Sequence, residues 1–327
     1  MNIIGDILSA TLIFAVPLML VALGGMFSER SGVVNIALEG IMIVGALAAS
    51  LFLRYIDDMG FNPNFTQLYV LASILIAGIV GIIYSQLLAF ASIRLKSNQV
   101  ISGTALNMLA PALAVVVTWN IQGTAQTTIL IPSWVRIASD SLGIATDNVL
   151  TTFLFKSLFL TTPVAFLLLI LSIFFLYRTK TGLRLRACGE HPQAADSVGV
   201  NVYRMRYLGV GISGFFAGIG GIAYTLAAGS GFTSTVAGYG FLALAVMIFG
   251  NWKPVNILFA SFFFAFFRII SFYSDSLAFL PKFENLAGSE YIYLIMPYLV
   301  TMIILILTSK RSRAPKAEGI PYDKGRR

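Results

Sequence analysis

Cysteine, histidine and charged residues are scarce in this sequence of 327 residues, and each scarcity excludes a class of function. The single cysteine, Cys188, cannot form a disulfide within the chain or supply a cysteine-based metal cluster. The single histidine, His191, lies in a charged loop, so the apolar segments lack a His-based triad or zinc site. We therefore expect no enzyme, no metal and no cofactor. Only 11% of the residues are charged, against roughly 25% in a soluble domain.

The remaining sequence is dominated by apolar residues. They make up 57% of the chain, and the mean hydropathy is +0.85. Segments of about 20 apolar residues are long enough to cross a bilayer as helices. The sequence therefore predicts an all-α, polytopic transmembrane bundle of about nine spans, with a range of eight to ten, over residues 1–308. The predicted segments are 7–27, 32–53, 68–92, 99–119, 157–177, 207–228, 232–250, 254–272 and 290–308.

The basic residues fall mainly in alternate loops between these segments. In this arrangement one side of the membrane and the C-terminal tail hold 17 Lys and Arg residues, and the other side holds five, including Arg268 near the outer end of its span. The positive-inside rule then predicts a cell-membrane protein whose N-terminus is outside and whose C-terminus is cytoplasmic. The net charge of +8 therefore reflects orientation and does not indicate nucleic-acid binding. No Lys or Arg precedes Arg30, so a secretory signal peptide is not expected.

The C-terminal tail, residues 309–327, contains three Lys and four Arg residues. Such a basic segment next to a span favours contact with anionic lipid headgroups of the bilayer. We expect this tail to be disordered in the cytoplasm.

Several polar side chains lie inside the predicted spans, where an unpaired charge costs several kcal/mol. Asn35 and Glu39 are four residues apart, which places them on one face if both are helical. Asn98 comes just before the fourth segment, near the inner interface, and Asn107 lies deeper within that segment. All four residues are candidates for the translocation pathway, and hydrogen bonding between helices is the alternative.

Glycines are concentrated in two runs. The first occupies positions 209–221 and is typical of close helix packing. For the second, from Ala228 to Gly240, we consider both packing and a broken or re-entrant segment, which membranes tolerate only where it is buried or lines a cavity. The long loop 120–148, with Trp119 and Trp134 near its ends, is either an interfacial anchor or a docking surface for an external partner.

The internal loop 178–206 is far more charged than the others. Pro192 suits the first turn of a helix, residues 193–198 continue it, and Gly199 can close it in a left-handed conformation. The pattern predicts a helix of about two turns outside the membrane. Such a helix is either a solvated connector or a contact for a soluble partner.

Four motifs stand out in the sequence. They are residues 29–40; residues 98–103 with Asn107; residues 238–246; and, in the loop, Gly182, Arg186, Ala187, Gly189, Glu190, Pro192, Ala194, Ala195, Gly199 and Asn201. Together they resemble the permeases of the branched-chain amino acid and simple-sugar group of ABC importers. The resemblance runs from about residue 10 to 308, and the form of the first motif is most similar to the nucleoside-importer branch.

The resemblance implies a permease with a type II-like importer fold that translocates nucleosides. Its partners would be a cytoplasmic ATPase, a second related permease and an extracytoplasmic substrate-binding lipoprotein. ATP would bind to the partner, and no GxxxxGK[ST] phosphate loop occurs in the chain. The implied ATPase contacts are Arg186, Gly189, Glu190, Pro192, Ala194, Ala195 and Gly199.

Two other functions stay open at this point. A simple-sugar or branched-chain amino acid permease belongs to the same group, and only uptake data separate these substrates. An ion-coupled secondary transporter also uses broken helices and buried carboxylates such as Glu39. The coupling-type loop argues against the secondary transporter.

Overall fold

The computed structural model describes residues 3–60, 63–123, 126–137, 151, 153, 159–273 and 314–324, and six residues between 295 and 303. The secondary structure of these residues is mainly helical, and an isolated antiparallel bridge joins Ile129 to Phe232. The helices are α1 (Ile3–Arg30), α2 (Leu38–Asp58), α3 (Thr66–Ala89), α4 (Gln99–Gln122), α5 (Thr161–Arg178), α6 (Lys180–Glu190), α7 (Pro192–Ser197), α8 (Val202–Ala228), α9 (Tyr239–Phe249) and α10 (Pro254–Tyr273).

The predicted all-α membrane bundle is confirmed. Among the described residues, seven helices are long and apolar enough to cross a membrane, and α9 is a shorter apolar helix. The ninth predicted segment, 290–308, and residues 138–148 of the long loop lie mostly outside the described residues. The count of nine spans therefore stays a prediction.

Helix α8 lies at the centre of the bundle, packed against α1, α2 and α3. The glycine run predicted to allow close packing does so. A Cβ atom added at Gly214 or Gly218 would lie under 3.0 Å from backbone atoms of α3, and one added at Gly221 would meet the backbone of α2. Glycine at these positions therefore lets the helix backbones touch directly.

Two segments interrupt the helical pattern. Residues 31–37 are not helical, so the second predicted span begins six residues too early, and residues 229–238 separate α8 from α9. In the second interruption Gly231 and Gly238 have positive φ angles of 86° and 77°, which explains why the helix cannot continue there. The predicted break between Ala228 and Gly240 is confirmed, and the continuous span 232–250 is wrong.

The residues predicted to share the basic side of the membrane lie at one end of the bundle, which we call the basic end. The Arg30 guanidinium donates to the Trp252 carbonyl at 2.9 Å, next to Lys253. Lys96 pairs with Asp323 at 3.2 Å. The first contact joins the end of α1 to the α9–α10 connection, and the second joins the α3–α4 connection to the C-terminal segment.

The expectation of a disordered tail is wrong for residues 314–324, which we call the strap. Ala317 and Tyr322 are each 5% exposed. The Ala317 amide donates to the Gly189 carbonyl at 2.8 Å. The basic composition of a segment does not reveal whether its small and aromatic residues fit the surface of the folded bundle.

Candidate functional site

The carboxylate of Glu39 holds the second interruption in place. It accepts hydrogen bonds from the backbone N–H groups of Gly238 at 2.8 Å and Gly240 at 2.6 Å. These groups lie at the start of α9, where backbone N–H groups lack partners within the helix and the helix dipole is positive. Glu39 is therefore a side-chain cap supplied to α9 by α2.

This contact lies deep in the bundle. The 11 residues of α9 rise about 16 Å, and its far end reaches the basic end of the bundle at Trp252. A rise of ~16 Å is about half of a hydrocarbon core that is ~30 Å thick. The break before Tyr239 therefore lies about half a hydrocarbon thickness from the basic end of the bundle.

The first interruption is satisfied by side chains from α4. The Asn107 amide accepts from the Gly40 N–H and donates to the Ile36 carbonyl, both at 2.8 Å. Gln99 accepts from the Val34 N–H at 2.7 Å. Broken backbone is tolerated at membrane depth when protein groups satisfy it, and Asn107 and Gln99 do so here.

Asn35 and Asn98 occupy different environments. Asn35 precedes α2, so the expectation that it shares a helical face with Glu39 is wrong, and it donates to Ser213 of α8 at 2.8 Å. Asn98 caps the start of α4, accepting from the N–H groups of Val100 and Ile101. Glu39, Asn107 and Asn35 thus converge on the interruptions, whereas Asn98 lies apart. Their contact with substrate stays a prediction.

A cluster of aromatic rings and one cation lies beside the second interruption, and its residues are not among those predicted for the pathway. The guanidinium carbon of Arg268 is 4.5 Å from the centroid of the Tyr239 ring, which is 4.4 Å from that of Tyr224. Within the described part of the chain, the Arg268 Nε and Tyr239 hydroxyl are buried without a hydrogen-bond partner. The available signal was the lone arginine in the apolar segment 254–272, because an intramembrane cation is by default functional.

The loop 178–206 folds into two helices at the basic end. As predicted, Pro192 begins the short helix α7, and Gly199 follows its end with a φ of 83°. Ala194 is exposed, whereas Pro192 and Ala195 are buried against the bundle. One face of α7 therefore attaches to the bundle and the other is open.

Other predicted loop residues lie in α6 and pack it against α5 and α1. The Arg186 guanidinium lies over the Tyr177 ring at 5.3 Å. A Cβ at Gly189 would clash with the backbone of Arg30, and Glu190, which ends α6, is half-buried. Burial raises the pKa of the neighbouring Cys188 thiol to about 11, which makes it an unreactive core residue.

Comparisons with known proteins agree with this architecture. A family model described as branched-chain amino acid transport system, permease component, matches residues 7–308. The guanosine ABC transporter permease protein NupQ of Bacillus subtilis is 41% identical over 100% of this chain and 99% of its own length. No solved structure matches the chain significantly.

Two permeases of Lactococcus lactis also match the chain. The nucleoside ABC transporter permease protein NupC is 36% identical over 99% of both chains. The nucleoside ABC transporter permease protein NupB is 24% identical over 76% of this chain and 68% of its own length. The sequence match over nearly all of the bundle, together with the apolar helices, shows that this multi-pass membrane protein belongs to the branched-chain amino acid transport system permease component family.

Proposed function

We propose that this chain is the permease subunit of an ATP-driven importer of nucleosides. The observation that carries the proposal is the end-to-end similarity to two permeases whose names specify guanosine and nucleosides. A broken helix about half a hydrocarbon thickness from the basic end supports it, since substrate routes commonly pass such breaks. The role is transport, and ATP is bound by a partner subunit.

The chemistry beside the break suits nucleosides, which are neutral, flat and rich in hydrogen-bonding groups. The face of an aromatic side chain can stack on any nucleobase, and a guanidinium group can both stack on a base and donate several hydrogen bonds to it. The half-buried Tyr224 and Arg268 offer both kinds of contact at one place. The route we propose passes these side chains. In this proposal Glu39, Asn35 and Asn107 fix the backbone segments that line the route, and Asn98 lies at the start of α4.

Replacing Arg268 with Gln should lower nucleoside uptake about tenfold or more, because hydrogen bonds to a charged group contribute roughly 1.5–3 kcal/mol. The measurement is initial uptake rate at several nucleoside concentrations, normalised to the amount of permease in the membrane. Lys253→Gln is the matched control, since this cation is exposed at the basic end. Equal uptake by both variants would remove Arg268 from the route.

We infer that the basic end faces the cytoplasm, as the positive-inside rule requires. This places the open face of α7 where a soluble ATPase can reach it. Arg186, Gly189, Glu190, Pro192, Ala194, Ala195 and Gly199 would then form or support the ATPase contact. Closure of the ATPase would move α7 and, through the α6 and α8 ends, the bundle.

A second permease is the remaining membrane partner we propose. The similarity of this chain to both NupC and NupB of one organism supports a pair of related, non-identical permeases. An extracytoplasmic substrate-binding lipoprotein would deliver the nucleoside and supply the selectivity, so that binding within the permease can stay weak.

The experiment that tests the function is uptake of radiolabelled guanosine, other nucleosides, ribose and leucine into cells with and without the gene. We expect nucleoside uptake to depend on the gene and to stop when ATP is depleted at constant membrane potential. Uptake that follows the proton or sodium gradient would contradict ATP coupling. Gene-dependent uptake of the sugar or amino acid alone would contradict the substrate.

A further inference from the structure

The strap, residues 314–324, is attached to several elements of the basic end. Besides the Ala317–Gly189 hydrogen bond, Arg206 at the start of α8 donates to the Ile320 carbonyl at 2.9 Å. The Tyr322 ring lies 5.4 Å from that of Tyr203, between centroids. The strap therefore joins the end of α6 to the base of the central helix α8.

A carboxyl pair adds a contact to α1. The Glu318 side chain lies beside that of Glu29, whose carboxylate also accepts from the Trp252 indole N–H. Burial at this place raises the pKa of Glu318 above its ordinary value. The strap is thus packed as an integral part of the bundle.

Two clefts open beside α7, and the strap lines both. A cleft of about 530 Å³ lies between the exposed side of α7 and strap residues Tyr322, Asp323 and Lys324. A second, of about 350 Å³, lies between the α7–α8 turn and Lys324. The α7 side contributes polar groups to the first cleft, namely Gln193, Asp196 and Ser197.

We propose that the strap and α7 together form one docking surface for the ATPase subunit, with the strap as its second wall. The inference rests on the proposed function, because α7 is there the contact for the ATPase. Both clefts are continuous with α7, so a partner that covers this six-residue helix must also meet Lys324.

The chemistry of the clefts indicates a protein partner. The larger cleft is lined by charged groups of both signs, the carboxylates of Asp196 and Asp323 and the ammonium group of Lys324. The neutral polar groups of Gln193 and Ser197 also line it. A surface for anionic headgroups would instead carry cations alone. Mixed polar groups are typical of the rim of a protein–protein interface. The strap also lies beyond residues 7–308, the region that the family model matches.

Site-specific photo-crosslinking in the assembled transporter tests this surface. The photoreactive residue p-benzoylphenylalanine replaces Lys324, Ala194 or Met59 in separate chains, and membranes are illuminated and probed for the ATPase. Met59 is the negative control, because it is 67% exposed and follows the end of α2 that is opposite to the basic end. We expect ATPase adducts from positions 324 and 194 and none from 59.

The outcomes separate the two ideas. Adducts from 194 without adducts from 324 would overturn the strap inference and leave the proposed function intact. Absence of adducts from both positions, in membranes that contain the ATPase, would overturn the ATPase contact of α7 and the strap inference with it.

A pair of strap variants supplies a second readout. Tyr322→Ala removes a buried ring that lines the larger cleft and should reduce copurified ATPase about fivefold. Ile320→Ala is the matched control, since this side chain is 57% exposed and lines neither cleft. Equal ATPase recovery with both variants, at equal permease levels, would contradict the inference.

Discussion

Replacing Gly218 with Ala is expected to prevent the permease from folding stably, although the change adds one methyl group. That methyl carbon would lie under 3.0 Å from backbone atoms of Ala77, and backbone cannot move aside as a flexible side chain can. Forced separation of α3 and α8 would cost about 3 kcal/mol or more, at the upper end of overpacking penalties. The measurement is the fraction of monodisperse protein after detergent extraction, together with its melting temperature.

The matched control is Gly211→Ala in the same helix. Its added methyl group would meet side-chain atoms alone, the Gln86 Nε2 at 3.2 Å and the Ile82 Cγ2 at 4.0 Å. Both substitutions raise helix propensity equally, by roughly 1 kcal/mol, so any difference between them reports on packing. A Gly218→Ala protein as stable as Gly211→Ala would show that the close approach of α3 and α8 is not required.

Replacing Glu39 with Gln is expected to reduce uptake about 100-fold while permease remains in the membrane. The side-chain amide has one oxygen to offer two backbone donors, Gly238 and Gly240, and its own NH₂ would face one of them. Losing a charge-assisted bond and leaving a buried donor unpaired costs about 3 kcal/mol in total. The start of α9 would then lose its position beside the proposed route.

Uptake rate and surface level should be measured together for Glu39→Gln and for Asn98→Ala. Asn98 is also a predicted pathway residue, but it caps α4 from the surface of the bundle, and its loss should change uptake by about twofold at most. Wild-type uptake by Glu39→Gln would mean that the cap on α9 is dispensable for transport. A large loss with Asn98→Ala would move the route towards α4.

Local signals predicted the parts of the fold that depend on local physics. Apolar run length gave the long helices, and Pro192 with Gly199 gave the limits of α7 to within one residue. The glycine run predicted the close approach of α8 to its neighbours. Each of these outcomes follows from the chemistry of the segment itself, so no knowledge of its neighbours was needed.

Hydrogen-bond partners could not be read from the same patterns. The polar residues at 35, 39 and 107 stand out in the sequence because polar side chains are costly in lipid. Either a place in the translocation pathway or hydrogen bonding between helices would explain their presence. Only the fold shows that Asn107 hydrogen-bonds to the backbone around the start of α2 and that Glu39 hydrogen-bonds to the backbone at the start of α9. It also brings Arg268 to Tyr239, a contact that no spacing in the sequence predicts.

The sequence by itself determined that this chain is a helical membrane permease with a two-turn helix in its charged internal loop. Those properties follow from hydropathy, charge placement and local motifs, which act over a few turns of chain. The tertiary structure alone decided where the helices break, which groups satisfy the broken backbone and whether the basic tail is ordered. The strap binds Gly189 and Arg206, over 100 residues earlier in the chain. Contacts between such distant residues depend on the packed bundle, so the composition of the tail could not reveal them.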